Sequence, residues 1–233
     1  MEPILFYGVP QGCSFGSIVA LEWLGEPYRL TRVNMPDDMQ GDLYARLNPV
    51  RETPTLITAS GETLSESAAI LNHIAARGID KGLGFKQGTP EFDQLNQMIA
   101  FLNTGFFSSF TPLWVAYEGS FADGEREFLR GLGHRAVAKA HAELETILDD
   151  RQWLLGAQRA VADAYFTGIA RWAEYHSAID PRDYPRVHAL AQRLAEDPAV
   201  HFAHAIEAQR ATISSGGFLG HVTIAEAATQ LAA

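Results

Sequence analysis

The spacing of apolar and polar positions divides the chain into two parts with different patterns. Short apolar or alternating runs, typical of β-strands, occur at residues 3–7, 28–33 and 55–58. From Ser14 onward the apolar positions recur every three or four residues until Gly25, a residue type that commonly ends a helix. This order predicts a strand–helix–strand unit, followed by a hairpin and a covering helix that complete an α/β layer.

The hairpin is predicted within residues 51–74. Turn-forming residues at 59–62 separate the strand at 55–58 from a second short strand, and a helix follows. Ser65 is predicted to be the N-cap of that helix, because it precedes apolar positions with helical spacing. The polar stretch before the hairpin, residues 34–48, is predicted to contain a short helix.

Helical periodicity dominates the rest of the chain. Residues 78–90 break the pattern and contain several glycines and a proline, so we place a domain boundary there. Apolar stripes then predict helices at 92–107, 135–148, 161–172, 185–194 and 199–213, with one or two further turns at 224–231. The predicted fold is an α/β domain at residues 1–80 followed by an all-α domain at residues 90–233.

Charge and cysteine content narrow the classes of function. The 233 residues carry a net charge of −10 without a Lys/Arg block, which makes nucleic acid and anionic membranes poor partners. One cysteine, Cys13, excludes an intrachain disulfide framework and fits a reducing compartment. The chain has neither a signal-peptide pattern nor an uninterrupted apolar run of spanning length. We therefore expect a soluble cytoplasmic protein that does not bind membranes.

Two features of the hairpin segment together predict a binding site for a small anionic peptide. Pro54 stands directly before a strand, and a cis Thr53–Pro54 bond would turn the backbone of Thr53 outward toward an extended ligand. Glu66 and Ser67 lie at the start of the next helix, where free N–H groups and the helix dipole favour a carboxylate. The alternative is an ordinary hairpin with a trans proline and a capped helix.

Reactive groups are concentrated near the start of the first helix. Cys13 and Ser14 lie at the loop–helix junction, where the helix N-terminus is expected to lower a thiol pKa and stabilise an anion. The alternatives are a small buried filler for Cys13 and a simple N-cap for Ser14. Tyr7 closes the first strand and is expected either to direct its hydroxyl at the same place or to border the core.

Neither a metal nor a nucleotide cofactor is expected. His201, His204 and Glu207 would share one helix face, but nothing completes a metal-ligand set around them. The glycines between Gly8 and Gly16 have neither the dinucleotide nor the P-loop spacing. An aromatic cluster opens the second domain; core packing explains most of it, and some members would line an apolar pocket facing the first domain. Its members are Phe106, Phe107, Phe110, Trp114 and Tyr117.

Four motifs in the same order resemble the glutathione S-transferases, and the resemblance runs through most of the chain. They are FYGVPQGCSFGSIVALEWLGEPY, NPVRETPTL, SESAAILNHIA and GAQRAVADAYF. The resemblance implies a thioredoxin-like, glutathione-binding domain at 1–80 and a helical domain at 90–233 that forms a hydrophobic substrate pocket. It also implies a cytoplasmic homodimer that acts in detoxification, with glutathione as co-substrate, a small hydrophobic electrophile as substrate and no metal.

The resemblance assigns roles to individual residues. Thr53, followed by a cis Pro54, would pair with the cysteinyl backbone of glutathione, and Glu66 and Ser67 would bind its γ-glutamyl end. The residues expected near the sulfur are Cys13, Ser14 and Tyr7, and those of the substrate pocket are Phe107, Phe110 and Trp114. The thiolate would attack or reduce an electrophile. Two alternatives stay open: a non-catalytic binding or scaffold protein, and a glutathione-dependent disulfide or peroxide reductase that uses Cys13.

Three departures from the family patterns qualify this assignment. Phe107-Ser108 stands where beta-class enzymes often carry a histidine-lysine pair. Ser17 stands where maleylacetoacetate isomerases carry arginine, which sets that activity aside. Ala160 replaces the usual capping Ser or Thr, so only the bond from the Ala160 N–H to Asp163 is expected, at a cost of about 1 kcal/mol in helix stability.

Overall fold

The chain builds one five-stranded sheet and packs helices around it. A computed structural model describes residues 1–231. The strands are β1 (Ile4–Val9), β2 (Tyr28–Asn34), β3 (Thr55–Ile57), β4 (Thr63–Ser65) and β5 (Phe218–His221), in the spatial order β4-β3-β1-β2-β5. β1 runs parallel to β2 and antiparallel to β3, and β5 runs parallel to β2. The predicted strand–helix–strand unit and hairpin are therefore present.

Ten α-helices complete the described part of the chain, together with shorter 3-10 and π-helical segments. They are α1 (Phe15–Leu24), α2 (Asp42–Leu47), α3 (Ser67–Arg77), α4 (Pro90–Phe101), α5 (Thr111–Glu118), α6 (Asp123–Leu148), α7 (Val161–Tyr175), α8 (Pro185–Ala195), α9 (Pro198–Glu207) and α10 (Ile224–Leu231). α4 continues into a π-helical stretch, Leu102–Phe107, and a 3-10 turn, Ser108–Phe110, before α5. The stretch from Pro90 to Glu118 is long and apolar enough to cross a membrane, but several of its apolar residues, such as Leu95 and Phe106, are buried in the protein core.

The C-terminal strand β5 is the main departure from the predicted architecture. The segment after α9 was expected to end in helical turns only, yet residues 218–221 join the sheet at the free edge of β2. The buried carboxylate of Glu22, on α1, holds the glycine-rich turn before β5. It accepts hydrogen bonds from Ser214 Oγ (2.7 Å), the Ser215 N–H (3.0 Å) and the Gly216 N–H (2.9 Å). The all-α description thus applies to residues 90–207 and not to the C-terminal segment.

Three element boundaries also differ from the predictions. Ser65 is the last residue of β4 and not an N-cap, because the chain turns at Glu66 (φ 72°) and α3 begins at Ser67. α6 begins at Asp123, well before the predicted residue 135, since the acidic residues of its first turn suit a helix N-terminus although they carry no apolar stripe. α9 ends at Glu207, not at residue 213.

Helices α1 and α7 join the two parts of the fold at close range. α1 is buried along its whole length, because the sheet covers one side and α7 and α9 cover the other. A Cβ added to Gly16 would lie 2.4 Å from the Ala164 carbonyl oxygen, and one added to Gly168 would lie 2.8 Å from the Gly16 nitrogen. Only glycine permits this approach, so the backbones of the two helices are in direct contact.

The start of α7 is held by one buried carboxyl group. Asp163 Oδ2 accepts the Ala160 N–H at 2.8 Å, which is the half of the capping box expected to remain without a capping hydroxyl. Its Oδ1 accepts the Leu154 N–H at 2.9 Å, a bond that the sequence did not predict. Burial raises the pKa of Asp163 to about 6, although the backbone N–H groups oppose this shift.

Candidate active site

Cys13 lies in the loop between β1 and α1, at the edge of a cavity of about 260 Å³. Its partly buried Sγ–H donates to the Thr53 carbonyl oxygen at 3.2 Å. Two residues of α7 fix this loop: Trp172 Nε1 donates to the Gln11 carbonyl (2.9 Å), and Arg171 Nη2 donates to the Gly12 carbonyl (2.8 Å). The position of the thiol is therefore set by the helical part of the protein as well as by the sheet.

The segment before β3 presents the backbone of Thr53 to the same cavity. The Thr53–Pro54 peptide bond is cis. Two hydrogen bonds fix the backbone just before Thr53: Asn48 Nδ2 and the Tyr44 hydroxyl both donate to the Glu52 carbonyl oxygen, at 2.8 and 2.6 Å. Within residues 1–231 the Thr53 N–H has no hydrogen-bond acceptor. Thr53 can therefore pair with an extended ligand through its backbone, as an added strand would.

The beginning of α3 faces this segment across the cavity. The first intrahelical bond runs from the Ile70 N–H to the Glu66 carbonyl, so the N–H groups of Ser67, Ala68 and Ala69 stay open. Ser67 is buried, while Glu66 is exposed at the rim, and both line the cavity. Open N–H groups and a helix dipole at one point make a site for a carboxylate.

The opposite wall of the cavity comes from the helical part of the protein. Phe107 and Ser108, which replace the histidine-lysine pair, both line it. Asn103 and Tyr165 complete the wall, and the Tyr165 hydroxyl donates to Asn103 Oδ1 at 2.6 Å. Sequence reasoning missed both residues; Tyr165 lies within a quoted motif, but nothing in its spacing predicts that it reaches the cavity.

The thiol pKa contradicts one prediction. The start of α1 was expected to lower the pKa of Cys13, but burial raises the pKa above its ordinary value, and the nearby Ser67 hydroxyl offsets only part of that shift. Desolvation penalises a thiolate more than the helix terminus favours it at this position. Cys13 is therefore a neutral thiol, and a hydrogen-bond donor, at neutral pH.

Two predicted sulfur-site residues do not line the Cys13 cavity. Tyr7 points away from it, and its hydroxyl lies 3.1 Å from Nε2 of His221 on β5. The register of β1 causes this, since neighbouring side chains of a strand point to opposite faces and the one at position 7 points toward β5. The Ser14 hydroxyl is fully buried and accepts the Gly8 N–H at 3.0 Å, so it holds the loop together and caps no N–H of α1.

Two of the three predicted substrate-pocket residues also lie elsewhere. Phe110 is fully buried among the rings of Phe106, His141 and Trp172 and belongs to the core. Trp114 packs against Trp172 with ring centroids 5.3 Å apart, behind Phe107 and outside the Cys13 cavity. Helical periodicity could not distinguish these positions, because the π-helical stretch changes the phase of the helix between Leu102 and Phe107.

Comparisons with known proteins assign the chain to a family. A glutathione S-transferase from Xanthomonas campestris pv. campestris, GST-4.5, is 30% identical over 201 residues, which cover 84% of this chain and 95% of that protein. The chain belongs to the glutathione S-transferase family. Residues 13–77 match the family profile described as Glutathione S-transferase, N-terminal domain. The sequence-based family assignment and the predicted fold class, a thioredoxin-like domain followed by helices, are thus confirmed.

Other members of the glutathione S-transferase family support the same assignment. The Escherichia coli O157:H7 protein GstA is 27% identical over 205 residues, 87% of this chain and 98% of its own length. A sphingomonad glutathione S-transferase, solved in complex with glutathione, superposes with a TM-score of 0.76 at 28% identity, covering 88% of this chain and 98% of that one. Similarity at this level over nearly the full length supports transferase activity as well as fold.

Proposed function

We propose that the Cys13 cavity is the glutathione site of this glutathione transferase. One observation supports this most strongly: the Thr53 N–H, which has no acceptor within the described residues, the open N–H groups of α3 and a thiol line the same cavity. The backbone pairs with an extended peptide, and the helix start accepts a carboxylate. Glutathione is an extended peptide with a thiol between two carboxylate ends, so Ser67 and Glu66 would bind its γ-glutamyl group.

Cys13 would act as a hydrogen-bond donor to the glutathione sulfur, which would replace the Thr53 carbonyl oxygen as the acceptor of its Sγ–H. Its buried thiol is protonated at neutral pH, and an S–H donor stabilises a neighbouring thiolate more than a neighbouring thiol. Each unit by which the pKa of the glutathione thiol falls corresponds to about 1.4 kcal/mol. The thiolate so formed would attack a small hydrophobic electrophile held beside Phe107. This role favours conjugation over disulfide reduction, which requires Cys13 as a thiolate.

Biological setting and assembly are part of the proposal. A cytoplasmic detoxification role is supported by the family membership and by the single cysteine, which has no partner for an intrachain disulfide. A homodimer is supported by apolar side chains that α5 and α6 leave in solvent, including Tyr117 (57% exposed) and Phe128 (66% exposed).

Isothermal titration with glutathione tests the site through Ser67→Ala. A hydrogen bond to a charged group contributes about 1.5–3 kcal/mol, so we expect the Kd to rise by about tenfold or more. The matched control is Ser108→Ala, which removes a hydroxyl from the opposite wall, where it bonds to the Asn103 carbonyl. Equal affinities for Ser67→Ala and wild type would remove the start of α3 from the glutathione site.

Cys13 variants separate the proposed transferase chemistry from a reductase mechanism. We expect Cys13→Ala to lower the conjugation rate with a chlorinated nitrobenzene and Cys13→Ser, which keeps a donor, to retain more of it. Mass spectrometry after treatment with oxidised glutathione provides the second measurement. A stoichiometric glutathione adduct on Cys13, together with conjugation that survives in Cys13→Ala, would favour the reductase. Absence of turnover in any variant, with glutathione still bound, would favour a binding or scaffold protein.

A further inference from the structure

Arg171, near the end of α7, is bound by groups from three helices. Its Nε donates to the Gly168 carbonyl of α7 at 3.1 Å, and its Nη1 and Nη2 donate to the carboxylate of Glu207, the last residue of α9, at 2.5 and 2.9 Å. The guanidinium lies over the ring of Phe15 on α1, 4.2 Å from its centroid. Both side chains of the ion pair are 13% exposed, so solvent screens it weakly. Arg171 is therefore held in one orientation.

The remaining contact of Arg171 is with the loop that carries Cys13. Its Nη2 also donates to the Gly12 carbonyl at 2.8 Å. The Gly12 carbonyl and the Cys13 nitrogen belong to one planar peptide group, so this bond fixes the plane from which the Cys13 side chain projects. From there Cys13 Sγ reaches the Thr53 carbonyl at 3.2 Å. A movement of the Gly12 carbonyl would move the thiol with it.

Charge around the Cys13 cavity gives Arg171 a second effect. Within the described residues the cavity lining contains two carboxylates, Glu52 and Glu66, and no Lys, Arg or His. Burial raises the pKa of Cys13 most, the charge of Glu52 adds to the rise, and the charge of Arg171 opposes it. Arg171 does not line the cavity and acts from behind the loop. It therefore favours negative charge at the sulfur site without occupying that site.

We propose that Arg171, held by Glu207, is a positioning residue of the sulfur site, which places the Cys13 thiol through Gly12 and so controls how strongly the enzyme activates glutathione. This inference rests on the glutathione site proposed above, because it concerns the donor to the glutathione sulfur. Since Arg171 does not line the cavity, its substitution affects thiol ionisation and turnover and leaves the backbone contacts of glutathione in place.

Arg171→Lys separates the geometry of this residue from its charge. Lysine keeps the positive charge but lacks the planar fork, so one ammonium group cannot bond to Gly168, Glu207 and Gly12 together. The ultraviolet absorbance of the thiolate, followed against pH, gives the thiol pKa of bound glutathione. We expect Arg171→Lys to raise this pKa by about one unit, which lowers the thiolate fraction below the pKa about tenfold. The glutathione Kd should stay within about twofold of wild type.

Arg159→Lys is the matched control. Arg159 also pairs with a carboxylate of the α9 region, that of Asp197, and also lies over a ring of α1, that of Trp23, 4.5 Å from its centroid. Within the part of the chain that the structure describes, it forms no hydrogen bond with the Cys13 loop. We expect Arg159→Lys to leave the thiol pKa of bound glutathione at the wild-type value.

Two further measurements exclude a loosened fold as the cause of the shift. Arg171→Met combined with Glu207→Leu removes both charges, which leaves neither without its partner, and still removes the bond to Gly12. This double variant should raise the thiol pKa as Arg171→Lys does. In a Cys13→Ala background, Arg171→Lys should change the thiol pKa much less than in the wild type, because Arg171 acts through Cys13.

The results that would overturn this role differ from those that would overturn the glutathione site. The role of Arg171 fails if glutathione still binds and Arg171→Lys has the wild-type thiol pKa, or if Arg159→Lys raises that pKa equally. It also fails if Arg171→Lys has its full effect in the Cys13→Ala background. A wild type that binds no glutathione would overturn the site itself, and this role with it.

Discussion

Substitutions of Glu22 test how the C-terminal segment is attached. Glu22 is 4% exposed, and its carboxylate accepts five hydrogen bonds, the longest from the Ser215 hydroxyl at 3.5 Å. Its Oε1 accepts hydroxyl groups of Tyr28 and Ser214, which can also act as acceptors, and its Oε2 accepts the backbone N–H groups of Ser215 and Gly216, which cannot. Glu22→Gln can keep the four shorter contacts by placing its oxygen toward the two backbone N–H groups and its NH2 toward the hydroxyls of Tyr28 and Ser214. Glu22→Ala loses them all.

The expected magnitude follows from the two backbone donors. A buried N–H that loses its acceptor costs about 1–3 kcal/mol, and we take about 1 kcal/mol for each of these two because they lie near the surface. Glu22→Ala should therefore lower the free energy of local opening of β5 by about 2 kcal/mol. Amides that open locally should then exchange about 30-fold faster, since 1.4 kcal/mol is a factor of ten. Glu22→Gln should change their exchange by only a few-fold.

Hydrogen exchange measured by NMR reads this effect directly. The reporters are the Val222 N–H, bonded to the Leu30 carbonyl at 2.9 Å, and the Tyr28 N–H, bonded to the Gly217 carbonyl at 3.0 Å. The Met35 N–H, which bonds to Val9 in the same sheet without involving β5, is the internal control. If both variants accelerate exchange equally, charge rather than hydrogen bonding holds β5; if neither does, Glu22 is not the attachment.

Two further predictions concern pH. Burial lowers the pKa of His141, whose Nδ1 lies 2.8 Å from the Val137 carbonyl, so the unfolded chain takes up the proton first and stability is lost as pH falls below about 6.5. In urea unfolding, His141 should make the free energy of unfolding up to about 1.4 kcal/mol lower at pH 5.5 than at pH 7.5, and this part should disappear in His141→Phe. The same difference between the two pH values in His141→Phe and in the wild type would contradict the prediction. Asp163 acts with the opposite sign, because its raised pKa of about 6 means that the folded chain holds the proton longer. Relative to Asp163→Asn, the wild type should lose about 1 kcal/mol of stability as pH rises from about 5 to about 7, and no relative change would refute the buried, proton-retaining carboxyl.

Local signals in the sequence predicted the fold of the N-terminal part. The hairpin follows from turn residues and from alternation within a short segment, and the loop–helix junction at Cys13 follows from the onset of periodic apolar positions. No such signal predicted β5, because a four-residue segment with a glycine in its interior has little intrinsic preference for β structure. Its pairing with β2 is long-range, between segments almost two hundred residues apart in the chain.

The residues alone predicted one wall of the candidate active-site cavity, and the family resemblance added Phe107 on the opposite wall. Cys13, Thr53 and Ser67 each follow from a local rule about a loop, a proline or a helix start. Asn103 and Tyr165 come from helices of the second part, and only the packing of α7 on α1 brings them there. The orientation of Tyr7 depends on strand register, which the sequence leaves open because both faces of β1 are apolar and buried.

The glycine contact between α1 and α7 affects chimeras in which the two domains come from different members of the family. Because Trp172 and Arg171 hold the carbonyls beside Cys13, the sulfur position in a chimera joined at the linker would depend on the donor of the helices as well as on the donor of the sheet. A bulkier residue at position 16 or 168 would push the two helices apart and shift that loop with them. Thiol placement and electrophile preference should therefore be transferred between such hybrids together, as one trait.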